Sequence, residues 1–106
     1  MAFNQINKQR DANEPRIVAA FIRRKCSVHR VAEGPFDLVV GHKDRKGNRR
    51  THVVEVKAER GRLTPLQILF QQEHKGPLHI VRSEPDVDAL VDAWEGESAI
   101  VSRGCL

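Results

Sequence analysis

The sequence predicts an α/β domain, a mixed sheet with flanking helices in the order α-β-β-β-α-β-α. Three observations predict it. Apolar residues recur at helical spacing in separate stretches of the chain. Two valine-rich runs, FDLVVG and THVVEVKA, flank a turn around Lys46-Gly47-Asn48. A stretch that opens on Thr64-Pro65 and stops at Gly76-Pro77 leads into a further apolar run, LHIV. With 106 residues, 40% hydrophobic and 30% charged, a single domain over 1–106 with a core of modest size is expected.

Asp11 or Asn13 caps the first helix, and Pro15 stands in its first turn, where proline is tolerated. Ile17, Val18, Phe21 and Ile22 form its apolar face, and it should end near Lys25. SVHRV reads as a short edge strand and Glu33-Gly34-Pro35 as a turn. In the next strand Phe36, Leu38 and Val40 fall on one face, Asp37 and Val39 on the other. The returning antiparallel strand puts Val53, Glu55 and Lys57 on one face and Val54, Val56 and Ala58 on the other.

Thr64 with Gln67 three residues on makes a capping box for the second helix. Leu66, Leu69 and Phe70 are its expected buried face. LHIV beside the hairpin implies a crossover connection. Ser83 caps a third helix whose apolar face is Val87, Leu90, Val91 and Trp94. The stretch SAIVS reads as a last edge strand or coil.

Composition excludes some classes. No apolar run approaches a membrane span, so no membrane partner is expected. The polar start MAFNQINKQRDANEP lacks an apolar signal core, and the expected compartment is the cytoplasm. Cys26 and Cys105 are far apart and fit a reduced compartment.

The net charge is +4, and 12 of the 18 basic residues are arginine, the side chain suited to bidentate phosphate contact. Lys43, Arg45, Lys46, Arg49 and Arg50 crowd one turn, Arg60 and Arg62 follow the second strand, and Arg23, Arg24 and Lys25 lie together earlier. Any one such run reads as a solvated face. Several runs around one acidic cluster point to a polyanion, with the turn residues and Arg60 and Arg62 as candidate nucleic-acid contacts.

That cluster is Asp37 on one strand and Glu55 on its neighbour, with Lys57 about 6.6 Å further along the strand on the same face as Glu55. Two close carboxylates repel unless a proton or a cation sits between them. Mg²⁺, or Mn²⁺, suits hard oxygen ligands, polarises phosphoryl oxygens and lowers the pKa of a bound water. A fixed ammonium beside it orients the attacking water or stabilises charge on phosphorus. The Glu-x-Lys triplet alone is weak. A second one, Glu73-His74-Lys75, ends a helix, where it has a structural reading through the dipole. His29, His42, His52 and His79 lack zinc spacing.

GPFDLVVG followed by HVVEVKAERGRLTPLQ resembles the PD-(D/E)xK nucleases, and more narrowly the small stand-alone VRR-NUC nucleases of phages and prophages. Phe36 stands between Pro35 and Asp37, where the family has proline directly before the aspartate. The resemblance implies a restriction-endonuclease-like mixed sheet and Mg²⁺- or Mn²⁺-dependent hydrolysis of DNA phosphodiesters. It also implies Holliday-junction-resolvase-like action on branched DNA by a homodimer, inside a bacterial or phage-infected cell. Carried onto this chain, Asp37 and Glu55 hold the metal with the Val56 carbonyl, and Glu14 assists. Lys57 positions the nucleophile, and Gln67 orients Lys57 or the water.

Other readings stand beside these. Glu14 at a helix start favours the dipole without any metal, and Gln67 is accounted for by its capping box. A nucleic-acid-binding module without turnover, a sequence-specific homing- or restriction-type endonuclease, and a ribonuclease are the functional alternatives.

Overall fold

The structure, a computed structural model, describes residues 12–104, with side chains described through residue 96. Helix α1 (Glu14–Arg23) leads into β1 (Ser27–Arg30), β2 (Leu38–Lys43) and β3 (Arg49–Val56). Then come α2 (Pro65–Glu73), β4 (Leu78–Val81) and α3 (Glu84–Gly104). This is the α/β order that the sequence predicts. The strands lie in the order β1-β2-β3-β4, antiparallel except that β4 runs parallel to β3. A parallel neighbour needs a crossover, which α2 and its flanking loops supply.

Asn13 sits at the N-cap of α1 but makes no side-chain cap; its Nδ2 donates to the Arg82 carbonyl at 2.7 Å, tying the helix start to the end of β4. Asp11, the other expected cap, lies outside the described residues. The helix closes two residues before Lys25. The Cys26 amide donates to the Phe21 carbonyl and the Lys25 amide to the Ile22 carbonyl, with Lys25 left-handed at φ 66°. This is a Schellman ending with lysine where glycine is usual.

The core lies on one face of the sheet. Leu38 and Val40 of β2, Val54 and Val56 of β3 and Val81 of β4 meet Ile17, Ala20 and Phe21 of α1 and Val87, Val91 and Trp94 of α3. Ile22, expected in this set, is 57% exposed. The even-numbered residues of β2 and β3 serve this face because side chains alternate along a strand. The odd-numbered ones, Val39, Gly41, Lys43, Arg49, Thr51 and Val53, look the other way and are half-buried or exposed.

Three expectations need correction. Helix α2 has no buried residue; Leu66 is 63% and Leu69 47% exposed, and Phe70 is half-buried against Phe36. Phe36 itself is therefore not in the core beside Leu38. The apolar spacing of α2 is real, but none of the described elements buries it. Lastly, residues 98–102 continue α3 as helix rather than forming a strand or coil.

Trp94 fills the far end of the core. Its ring stacks on His52 at 3.6 Å between centroids and 5° between planes, with His42, His79 and Phe21 around it. Burial, then the nearby His79 and His42, push His52 down to about 4, so it is neutral at physiological pH. His42 Nε2 lies 2.9 Å from Glu95 Oε2, joining β2 to α3. Three of the scattered histidines, His42, His52 and His79, thus form an aromatic cluster, visible only once β2, β3 and β4 are side by side, while His29 is exposed on β1.

Candidate active site

Asp37 stands where β2 begins. Its amide still donates to the Val54 carbonyl, but its carboxylate takes the place of the next backbone partner: Oδ2 accepts from the Val56 amide at 2.9 Å. Backbone amides of a strand lie in the plane of the sheet, so the Asp37 carboxylate sits at the edge of that plane. It does not simply project from one face, as alternation alone predicts. Asp37 is 6% exposed and Glu55, one strand over, 3%.

Glu55 is asymmetric. Its Oε2 accepts from Gln67 Nε2 at 2.6 Å and lies 3.4 Å from Lys57 Nζ. Its Oε1 is buried and accepts no hydrogen bond. Burial pushes the Glu55 carboxyl up to about 7, and the neighbouring Asp37 charge adds to the rise; the Lys57 ammonium and the Gln67 amide pull it down. The structure thus brings Asp37, Glu55, Lys57 and Gln67 to one place, at the start of β2 and the end of β3.

Local chemistry holds Gln67 there. Thr64 Oγ1 accepts from the Gln67 amide at 3.2 Å, and Gln67 Oε1 accepts from the Thr64 amide at 2.9 Å. The capping box predicted from sequence therefore forms, and it has a second effect. With Oε1 held by Thr64, the Gln67 Nε2 is the end left to face Glu55. The two readings of Gln67, cap and site residue, are compatible.

A hard divalent cation fits this donor set. A buried carboxylate oxygen without a partner, beside a second carboxylate, is a costly arrangement that a cation relieves. The Val56 amide points to Asp37, and in an extended strand the carbonyl of the same residue points the same way. Val56 can therefore offer its carbonyl on that side.

Glu14 does not join them. It is buried at the start of α1, and its Oε2 lies 3.3 Å from Arg30 Nε of β1, so an arginine answers its charge. Among the described residues no three His, Cys, Asp or Glu side chains stand close enough to hold a metal. A cation here would rest on two carboxylates, a carbonyl and water.

The basic residues divide into two sets. Arg45 Nε lies 3.2 Å from Glu95 of α3, and Arg50 Nε 3.9 Å from the buried Asp44. Lys43, Lys46, Arg49, Arg60 and Arg62 are exposed. Asp44 shapes the turn: Oδ1 accepts from the Lys46 and Asn48 amides at 2.8 and 2.9 Å, and Gly47 takes φ 90°. Arg82 shapes the loop after β3. Its Nη1 donates to the carbonyls of Ala58 and Gly61, both at 2.7 Å, and of Glu59 at 3.3 Å. This holds the segment that carries Arg60 beside Lys57.

No protein-family model, curated protein or solved structure matches the chain. The site stands on its own geometry.

Sequence reasoning missed Asp44 and Arg82. An aspartate opening a Gly-Asn turn is a signal that could have found Asp44. Nothing local to Arg82 announces its carbonyl partners, which lie more than twenty residues away in the chain. Among the described residues no helix is long and apolar enough to cross a membrane.

Proposed function

We propose that this chain is a divalent-metal-dependent endodeoxyribonuclease of the PD-(D/E)xK type, akin to the stand-alone VRR-NUC nucleases, that hydrolyses phosphodiester bonds of branched DNA. One observation carries the reading: Glu55 has one oxygen engaged by Gln67 and Lys57 and the other buried and bare, beside Asp37. A solvated acid would not be 3% exposed, and a buried carboxylate oxygen without a donor, next to a second carboxylate, is costly unless a cation meets it.

Mg²⁺ or Mn²⁺ is the proposed cofactor. Asp37, Glu55 and the Val56 carbonyl would hold it, and it would supply Lewis-acid activation of water and phosphate. Glu14 is left out of this ligand set because Arg30 holds it. The chain's own part is positional. Lys57 places a positive charge where the scissile phosphate gathers negative charge. Gln67, fixed by Thr64, keeps Glu55 Oε2 occupied, so Oε1 is the oxygen that would be left for a cation.

The preference for branched DNA rests on the resemblance to VRR-NUC nucleases. So does a homodimer, for which the exposed Leu66, Ile68 and Leu69 of α2 offer an apolar surface that a second copy would cover. The free, buried Cys26 thiol fits a cytoplasmic setting.

The test incubates the protein with four-way junctions, linear duplex and RNA, with Mg²⁺ or with EDTA. Cleavage of DNA with Mg²⁺ alone is expected, the junction being preferred, and Lys57→Ala should slow it on the order of 100-fold or more. No Mg²⁺-dependent cleavage by folded wild-type protein ends the proposal, and a binding module without turnover is then what remains. Sequence-specific cutting of linear duplex favours a homing- or restriction-type enzyme instead.

A further inference from the structure

Lys43 and Arg49 are cross-strand partners at the far end of β2 and β3. Both are exposed, and neither has an ion pair among the described residues. By alternation both project from the face opposite the core, the face that carries Glu55. Like charges directly opposite in an antiparallel pair repel and destabilise the sheet. The other cations of this turn are placed differently: Arg45 turns to Glu95 on the helical side and Arg50 to Asp44.

Between this pair and the carboxylates the open face is low. Gly41 pairs with Thr51 on one side and Ser27 on the other. A Cβ on Gly41 would meet the Ser27 hydroxyl at 2.5 Å, so this row stays flat and hydroxyl-rich. Next come Val39 and Val53, partners in register and half-buried. Among the described residues, helices α1 and α3 pack on the opposite face, and α2 meets this one at its Glu55 end, through Gln67. Beyond Glu55, Lys57 and the loop with Arg60 and Arg62 return to positive charge.

We infer that the open face of the sheet is a DNA track, gripped at its far end by Lys43 and Arg49 acting together on the phosphate backbone. This rests on the nucleic-acid reading above and singles out two of its candidate contacts as one grip at a fixed distance from the acids. From Glu55 to Arg49 is six residues of strand, about 20 Å. At about 3.4 Å per base pair that distance is about six base pairs. The sheet's right-handed twist turns the pair relative to the acids, so the track winds along the strands. Two cations at one cross-strand position lose their mutual repulsion when a phosphate sits between them, which gives them a use in binding that they lack in folding.

The test measures equilibrium binding of fluorescent duplex DNA in EDTA, where no hydrolysis occurs, across a range of salt. Three proteins are compared: wild type, Lys43→Ser with Arg49→Ser, and Arg23→Ser on α1, whose guanidinium pairs with Glu84 on the helical side of the sheet. The double variant should bind on the order of tenfold or more weakly, and its log affinity–log salt slope should fall by about 2. Its melting temperature should not drop, since it removes a repulsion. Arg23→Ser should keep the wild-type slope. Shortening the duplex so that it cannot extend about six base pairs beyond the branch or cut should weaken wild type but not the double variant.

An unchanged slope in the double variant, or an equal loss in Arg23→Ser, overturns the track. So does wild-type protein that binds no DNA, or that binds RNA more tightly through the same pair. The outcomes separate from the nuclease reading. Cleavage with an unchanged double variant sinks the track alone, and a weakened double variant without Mg²⁺-dependent cleavage sinks the nuclease alone.

Discussion

Glu55→Gln should stabilise the metal-free protein at pH 8 and have little effect at pH 5. The wild-type carboxyl moves from its ordinary value of 4.5 to about 7 because burial and Asp37 disfavour the ion. A folded-state rise in an acid means the folded protein holds the proton more tightly than the unfolded chain. Stability is then complete below about pH 4.5, falls as pH rises toward 7, and levels off above it. Between pH 5 and pH 8 the loss is about 2 to 3 kcal/mol for a shift of this size.

Glutamine cannot ionise, so it escapes that loss. It can still accept from Gln67 Nε2, but it places an amide nitrogen where Oε1 was buried; the Lys57 attraction acts only on the ionised acid and is already contained in its value of about 7. The cost of the amide is constant across the range, so the informative quantity is the difference between variants at two pH values. Thermal and urea melts in EDTA at pH 5 and pH 8 measure it. The gap in favour of glutamine should widen by about 2 to 3 kcal/mol, on the order of 10 °C in a domain of this size. His52 contributes a slope of opposite sign. Its folded value of about 4 lies below the ordinary 6.5, so it favours the folded state as pH rises through that window. It is present in both proteins and cancels. Adding Mn²⁺ should raise the stability of wild type and leave Glu55→Gln unmoved. A gap that stays constant with pH refutes the reasoning, since Glu55 would then ionise as freely in the fold as in water.

Other outcomes follow from the same geometry. Gln67→Ala removes the donor on Glu55 Oε2 and half of the capping box; helix α2 should lose about 1 kcal/mol, and the pH midpoint for Mn²⁺ binding, read by calorimetry, should move upward. Lys25→Gly relieves a left-handed residue in the Schellman ending and should raise stability by about 1 kcal/mol in urea melts; a loss would mean that the Lys25 side chain contributes more than its backbone costs. Leu66→Glu with Leu69→Glu should halve the mass seen by sedimentation while leaving the melting curve of the monomer intact, because neither side chain is buried within the chain.

What was legible in the sequence is what short-range chemistry decides. The alternation of Val53 to Val56, the Thr64–Gln67 capping box and the helical spacing of Val87, Val91 and Trp94 are set by neighbours within a few residues. So the element order, the division of β2 and β3 into two faces and the nearness of Asp37, Glu55 and Lys57 could be read without coordinates. The tertiary structure decided the partners. Arg45 finds Glu95, Glu14 finds Arg30, Arg82 finds the carbonyls after β3, and His52 finds Trp94, all across long stretches of chain. Among the described residues it also left α2 unburied although its pattern is that of a buried helix. Periodicity says which face of an element is apolar. Whether that face is covered, and which charges are spent on one another, depends on what the fold carries to it from elsewhere.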